Sequence, residues 1–97
     1  MDKGMAEYRL TRIAQGTPAN GGAGRLMAVL FESGSAACSV DIHNAASDVA
    51  SSEIITMSVG AAVSQFFDFT NLGGIPCPTG TWVVPTGTGS VCYVWVA

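Results

Sequence analysis

The sequence predicts an all-β fold, a small antiparallel β-sandwich or jelly-roll-like domain of about seven short strands. Three observations support this prediction. Runs of β-branched and aromatic residues recur along the 97-residue chain, turn signals separate them about every 8–12 residues, and no segment has the apolar spacing of an amphipathic helix. The length corresponds to one domain, with an extended N-terminal arm at residues 1–7 and the sandwich at residues 8–97.

Glycine-rich and polar segments divide the first half of the chain. After the arm, in order, come strand 8–14, loop 15–24, strand 25–32 and strand 38–43. The loop contains Pro18 and is longer than a tight hairpin turn. Apolar and polar residues alternate in the third strand, CSVDIH, so Cys38, Val40 and Ile42 are predicted to face a core and His43 to face outward.

The second half is divided in the same way, and two hairpins are predicted in it. The segments are loop 44–52, strands 53–59 and 63–69, loop 70–80, and strands 81–85 and 90–97. The short GAA connection predicts a hairpin between the first two strands, and TGTG predicts one between the last two. The first loop has room for one helical turn begun by Ser47 or Asp48.

Two strand segments, 26–31 and 91–96, are apolar at both odd and even positions. In a sandwich, one face of a strand meets the core and the other meets solvent. The second apolar face is covered either by the glycine-rich loops or by other subunits, and we expect subunits because exposed apolar patches mark interfaces. The expected interface is formed by Met27, Val29, Phe31, Cys92, Val94, Val96, Tyr8, Arg9, Pro18 and Asn20.

The composition narrows the choice of partners. Charged residues make up only 11% of the chain, and seven acids against four bases give a net charge of −3. A low content of charged residues is typical of proteins that function within an assembly, so a homo-oligomer is expected. The four bases show no clustering of the kind that binds nucleic acid. No apolar run is long enough for a membrane-spanning helix, and no signal peptide is seen at the N-terminus.

The sequence shows no motif for catalysis or for a cofactor. His43 is the single histidine, and the three cysteines, Cys38, Cys77 and Cys92, contain no C-x-x-C pair. We therefore expect no enzyme activity, no metal and no cofactor. The odd cysteine count predicts three unbridged thiols in a reducing cytoplasm, of which Cys77, between two prolines, is expected to be the most exposed.

The aromatic residues of the last two strands leave two interpretations open. Trp82, Tyr93 and Trp95 could form a sugar-binding platform, but at apolar strand positions they are more typical of core or interface packing. Asp68, between Phe67 and Phe69, is interpreted as an outward residue of an alternating strand rather than as a metal ligand.

The order of several short patterns resembles that of a known class of protein. The chain has VDIHNAAS at residues 40–47, FFDF at 66–69, PTGTWV at 78–83 and TGTGSV at 86–91. This resembles the small β-sandwich capsid decoration or cement proteins of tailed bacteriophages. The resemblance implies a virion protein, made in the host cytoplasm, that binds the major capsid protein on the outer capsid surface, stabilises the shell and forms a homotrimer. The alternative is a tail, tail-tip or head-fibre module that recognises a host surface ligand.

Overall fold

The computed structural model describes residues 8–47 and 53–97 as a two-sheet, all-β sandwich. The predicted fold class is thereby confirmed. The arm at residues 1–7 lies outside the described residues, and so do residues 48–52, which would form most of the helical turn expected to begin at Ser47 or Asp48; residues 44–47 form bends. The described strands number nine, because two short strands occur in segments that the sequence assigned to loops.

The strands in chain order are β1 Arg9–Ala14, β2 Ala19–Asn20, β3 Gly24–Glu32, β4 Cys38–His43, β5 Glu53–Val59, β6 Ser64–Asp68, β7 Ile75–Cys77, β8 Trp82–Thr86 and β9 Val91–Val96. The short strands β2 and β7 were not predicted. The loop after β6 also contains a 3₁₀ turn at Thr70–Leu72.

The two sheets have different strand orders, and neither predicted hairpin forms. The five-stranded sheet has the order β1-β9-β3-β6, and β7 also pairs with β3. The four-stranded sheet has the order β2-β8-β4-β5. Consequently β5 and β6 lie in different sheets, and so do β8 and β9. Each short connection crosses from one sheet to the other instead of folding back beside its own strand.

Hydrogen bonds explain why the first of these connections crosses between sheets. The Ser33 hydroxyl, at the end of β3, donates to the Gly60 carbonyl at 2.6 Å. The Val63 amide donates to the Ser33 hydroxyl at 2.8 Å, and the Ala62 amide donates to the Gly34 carbonyl at 2.8 Å. The GAA segment thus bonds to the β3–β4 connection, and its own ends do not close a two-strand ladder.

Register decides which side chains of the five-stranded sheet face the core. Val29 lies opposite Val94, and Phe31 lies opposite Cys92. Residues directly opposite in an antiparallel pair share one face, and this face packs on the other sheet. The core cluster contains Ile13, Leu26, Val29, Phe31, Cys38, Val40, Ile42, Met57, Val59, Cys77, Val83, Cys92, Val94 and Val96.

The expected interface in β3 and β9 is therefore on the wrong side of the sheet. Five of its members, Val29, Phe31, Cys92, Val94 and Val96, have no exposed surface. Met27 is also buried, but it does not follow the inward alternation of these five residues. Leu26 pairs with Val96 and Ala28 pairs with Trp95, so Met27 is the extra residue of a β-bulge.

Two further sequence expectations fail in the core. Cys77 is fully buried, because β7 pairs with the start of β3 and turns the thiol inward, while Pro76 and Pro78 stay exposed. His43 is also buried, beside a register irregularity at Ile42 that ends the regular alternation of β4. All three thiols are unbridged and buried.

Burial also affects the ionisation of the thiols. Loss of hydration raises the pKa of Cys92 to about 12. Burial likewise raises the pKa of Cys77, although hydrogen bonding with Thr81 and with the Leu26 backbone opposes the rise. A thiol must ionise to react as a nucleophile, so these two side chains act as small apolar core residues.

Candidate functional site

The side of the five-stranded sheet that faces away from the core, called here the outer face, has three rows of side chains. Each row follows from the cross-strand register of β1, β9, β3 and β6. The first row is Leu10, Trp95, Ala28 and Asp68. The second is Arg12, Tyr93, Leu30 and Phe66, and the third is Ala14, Val91, Glu32 and Ser64.

The centre of the outer face is apolar and partly open to solvent. Leu10 is 58% exposed, Phe66 is 55% exposed, and Tyr8, just before β1, is 37% exposed. Between them lie the half-buried side chains of Tyr93 and Trp95. The outer side of an ordinary antiparallel sheet is polar, so this concentration of aromatic and aliphatic groups is typical of an interaction surface.

Among the described residues, the charged groups of the outer face stand only at its borders. Arg12 is exposed on β1, which is one edge of the sheet, and Asp68 is exposed at the end of β6, which is the opposite edge. Glu32 lies in the third row at the end of β3. The outer face therefore has an apolar centre and a charged rim, which is the usual anatomy of a protein–protein contact.

A cleft opens at one corner of the outer face. It has a volume of about 350 Å³ and is lined by Tyr8, Met27, Ala28, Phe66, Asp68, Thr70 and Trp95. The Phe66 and Trp95 rings meet edge to face, with centroids 5.9 Å apart and planes at 82°. We call this site the aromatic cleft.

Local backbone structure positions the polar side of the aromatic cleft. The strand β6 ends at Asp68, whose Oδ1 atom accepts hydrogen bonds from the Thr70 amide at 2.9 Å and from the Thr70 hydroxyl at 2.7 Å. Both hydrogen bonds lower the pKa of Asp68, and the bond from the Thr70 amide has the larger effect. The Phe69 amide donates to the Met27 carbonyl at 2.9 Å, which ties this turn to the β-bulge.

The remaining residues of the expected interface lie in different places. Tyr8 lines the aromatic cleft, whereas the Arg9 guanidinium donates to the Ala23 carbonyl at 2.6 Å. Pro18 is exposed in the loop between β1 and β2. The Asn20 side-chain oxygen accepts from the amides of Gly22 and Thr81, so Asn20 fastens its own loop to the start of β8.

The three aromatic residues singled out in the sequence do not form one platform. Tyr93 and Trp95 lie on the outer face, but Trp82 belongs to β8 in the other sheet. Sequence reasoning missed Leu10 and Phe66 as surface residues. The signal that could have found them is parity: once Val94 and Val96 are inside, Trp95 and its cross-strand neighbour Leu10 must be outside.

Other parts of the described chain show less chemistry. A second cavity, of about 290 Å³, is lined by Ala37, Cys38, Ser39, Ser58, Val59, Thr86 and Gly87 and has no charged side chain. Within residues 8–47 and 53–97, no group of three His, Cys, Asp or Glu side chains could hold a metal ion. No helix in the same residues has the length and apolar character needed to cross a membrane.

The outer face and its aromatic cleft can bind a partner through apolar contact, ring contacts and one carboxylate. Leu10 and Phe66 offer exposed apolar surface, and Asp68 offers a negative charge beside it. The Thr70 hydroxyl donates to the Asp68 carboxylate beside the cleft, and no histidine, lysine or cysteine is among the described residues that line it. Comparisons with models of protein families, with curated proteins and with solved structures find no match to this chain.

Proposed function

We propose that this chain is a non-catalytic structural protein of a virion, a capsid decoration or cement protein that binds the outer surface of the shell and stabilises it. The observation that carries the proposal is the exposed apolar centre of the outer face, formed around Leu10, Phe66, Tyr93 and Trp95. The choice of the major capsid protein as the partner, and of the capsid surface as the location, is based on the sequence resemblance to phage cement proteins.

The outer face has the composition of a binding surface. Tryptophan and tyrosine are enriched among the energetic anchors of protein interfaces, and four aromatic residues lie on or beside this face. Covering roughly 400 Å² of apolar surface contributes about 10 kcal/mol, but association itself costs about 4–15 kcal/mol. One outer face therefore supports only a modest affinity. An oligomer that presents several faces to one shell binds far more tightly.

The proposal accordingly includes a homo-oligomer, with a trimer favoured by the resemblance to cement proteins. Light scattering after gel filtration measures its mass directly. We expect a single species of three chains. A monodisperse monomer at micromolar concentration would contradict this part of the proposal.

The positions of the reactive side chains support a role without catalysis. His43 is buried, and Cys38, Cys77 and Cys92 are buried in the core. A general base or a nucleophile has to reach its substrate. The exposed acid of the aromatic cleft, Asp68, shares that site with rings and a threonine rather than with a histidine, lysine or cysteine.

Thermal release of DNA from shells tests the proposal. Purified protein is mixed with shells that lack it, and the release temperature is measured with and without protein. A molecule that binds only the intact shell stabilises it by mass action, by about 2.7 kcal/mol for each site at a hundredfold excess over the dissociation constant. We therefore expect decorated shells to release DNA at a higher temperature.

A surface variant assigns the effect to the outer face. The double variant Leu10→Ser, Phe66→Ser removes two exposed apolar groups, and Leu72→Ser is the matched control because Leu72 is 72% exposed in the 3₁₀ turn outside the three rows. Only the double variant should lose the stabilising effect. Binding with no change in release temperature would mean an ornament or adhesin. Absence of binding to shells would favour the tail or fibre module.

A further inference from the structure

We propose that the aromatic cleft receives one arginine side chain from the protein surface that this chain binds. The inference rests on the proposed function only for the identity of the partner as a protein. The preference of the cleft for a guanidinium group follows from its own lining.

The apolar wall of the cleft suits a flat organic cation. The rings of Tyr8, Phe66 and Trp95 all line it. Because the Phe66 and Trp95 planes stand at 82°, they form a corner rather than a flat platform. A cation within about 6 Å of a ring centroid is attracted by the electrons of the ring face, and a group seated in this corner comes near several rings at once.

The acidic side of the cleft supplies the opposite charge. Asp68 Oδ1 is occupied by the amide and hydroxyl of Thr70. Its Oδ2 atom accepts no hydrogen bond from the described part of the chain. The two bonds fix the orientation of the carboxylate and favour its charged form. A fixed carboxylate with one free oxygen beside aromatic rings is complementary to a hydrogen-bonding cation.

Among the described residues, no basic side chain pairs with the Asp68 carboxylate. Arg25, on β3, donates to the carbonyls of Gly73 at 2.5 Å and Gly74 at 3.2 Å. Arg12 is on the outer face but on β1, three strand spacings or about 14 Å from β6. The charge of Asp68 is therefore available to an incoming group.

The lining distinguishes a guanidinium group from a sugar. A sugar brings several hydroxyl groups that each need a partner, whereas the described residues bring to the cleft only the polar groups of Tyr8, Asp68 and Thr70 and the indole N–H of Trp95. The Thr70 hydroxyl already donates to Asp68. Guanidinium is planar, stacks on aromatic rings, pairs with carboxylates and is less strongly hydrated than an ammonium group. A guanidinium group therefore loses less hydration free energy than an ammonium group when it enters this site.

Titration of the isolated full-length protein with Nα-acetyl-arginine methylamide tests the inference. The readout is the NMR shift of the Trp95 indole N–H, with the Trp82 indole in the other sheet as the internal reference. We expect saturable movement of the Trp95 signal alone. The lysine analogue should bind more weakly.

Two substitutions assign the binding to the cleft. Asp68→Asn should weaken it about threefold, since an exposed charge pair is worth about that factor. Phe66→Leu should weaken it by a similar factor through loss of a ring. Asp41→Asn is the matched control, because Asp41 also accepts a threonine hydroxyl bond but lies on β4 in the other sheet. It should leave the affinity unchanged.

Several results would overturn the inference. They are tighter binding of choline than of the arginine probe, saturable binding of methyl β-glucoside, and no movement of the Trp95 signal with any probe. Loss of self-association in Asp68→Asn would identify the occupant as a basic side chain of a second copy and not of a partner protein. Shell stabilisation without probe binding would refute only this inference, whereas probe binding without shell binding would refute only the proposed function.

Discussion

A paired substitution of two phenylalanines measures which side of the five-stranded sheet is the core. Phe31 on β3 has no exposed surface, whereas Phe66 on β6 is 55% exposed on the outer face. Replacing a fully buried phenylalanine by alanine costs about 3–5 kcal/mol. For Phe66, less than half of the side chain is covered, so the burial loss is about 1 kcal/mol, to which the ring contact with Trp95 adds about 0.5–1 kcal/mol.

Urea unfolding followed by circular dichroism tests this difference. A small domain loses about 1–3 kcal/mol of stability per molar urea, so Phe31→Ala should lower the midpoint by about 2 M and Phe66→Ala by less than about 1 M. The unfolding is repeated at two protein concentrations, because an oligomer that covers Phe66 would make its loss concentration-dependent. If Phe31→Ala does not fold, Phe31→Leu takes its place with a smaller expected loss. Equal losses, or a larger one for Phe66, would refute the assignment of the faces.

The remaining predictions concern thiols, a glycine and a carboxylate. Alkylation of unfolded, unreduced protein should add three labels to Cys38, Cys77 and Cys92, and labelling of the native protein should be slow, because all three are buried; a single label on the unfolded chain would reveal a disulfide. Gly24→Ala should lower stability by about 2 kcal/mol or more in thermal unfolding, since Gly24 has φ +142° and an added Cβ would meet the Ala97 carbonyl oxygen. The control Gly16→Ala has φ +88° but open space around it and should lose less; equal losses would contradict the steric argument. The lowered pKa of Asp68 means that its contribution to stability is complete above its unfolded value of 3.8 and is lost as pH falls through the lower folded value. Asp68→Asn should therefore make the free energy of unfolding depend less on pH in the acid range. An acid pH dependence identical to that of the unsubstituted protein would show that the Thr70 bonds contribute nothing.

Local sequence signals were sufficient for the fold class and for most strand positions. The predicted bounds of β4 and β5 match the structure residue for residue, because each strand alternates or is β-branched between clear turn segments. The same signals could not find β2 or β7. These short strands carry proline, glycine and asparagine neighbours that are typical of loops, and they exist only because β8 and β3 supply their hydrogen-bond partners.

The sheet to which each strand belongs was not decided by adjacent residues. A three- or four-residue connection can close a hairpin or cross between layers, and its choice depends on distant partners. In the GAA connection those partners are Ser33 and Gly34, which lie almost thirty positions earlier in the chain. Local turn patterns carry no information about such contacts.

The sequence by itself determined that β3 and β9 have two apolar faces and that one of them must lie outside the core. Only the tertiary structure decided which one. Apolar residues occupy both parities, so period-two alternation cannot orient the strand. The β-bulge at Met27 also shifts the parity partway along β3. Packing of Val29, Phe31 and Val94 against the second sheet selects the inner face, and this selection places Trp95 and Phe66 beside Asp68 on the outside.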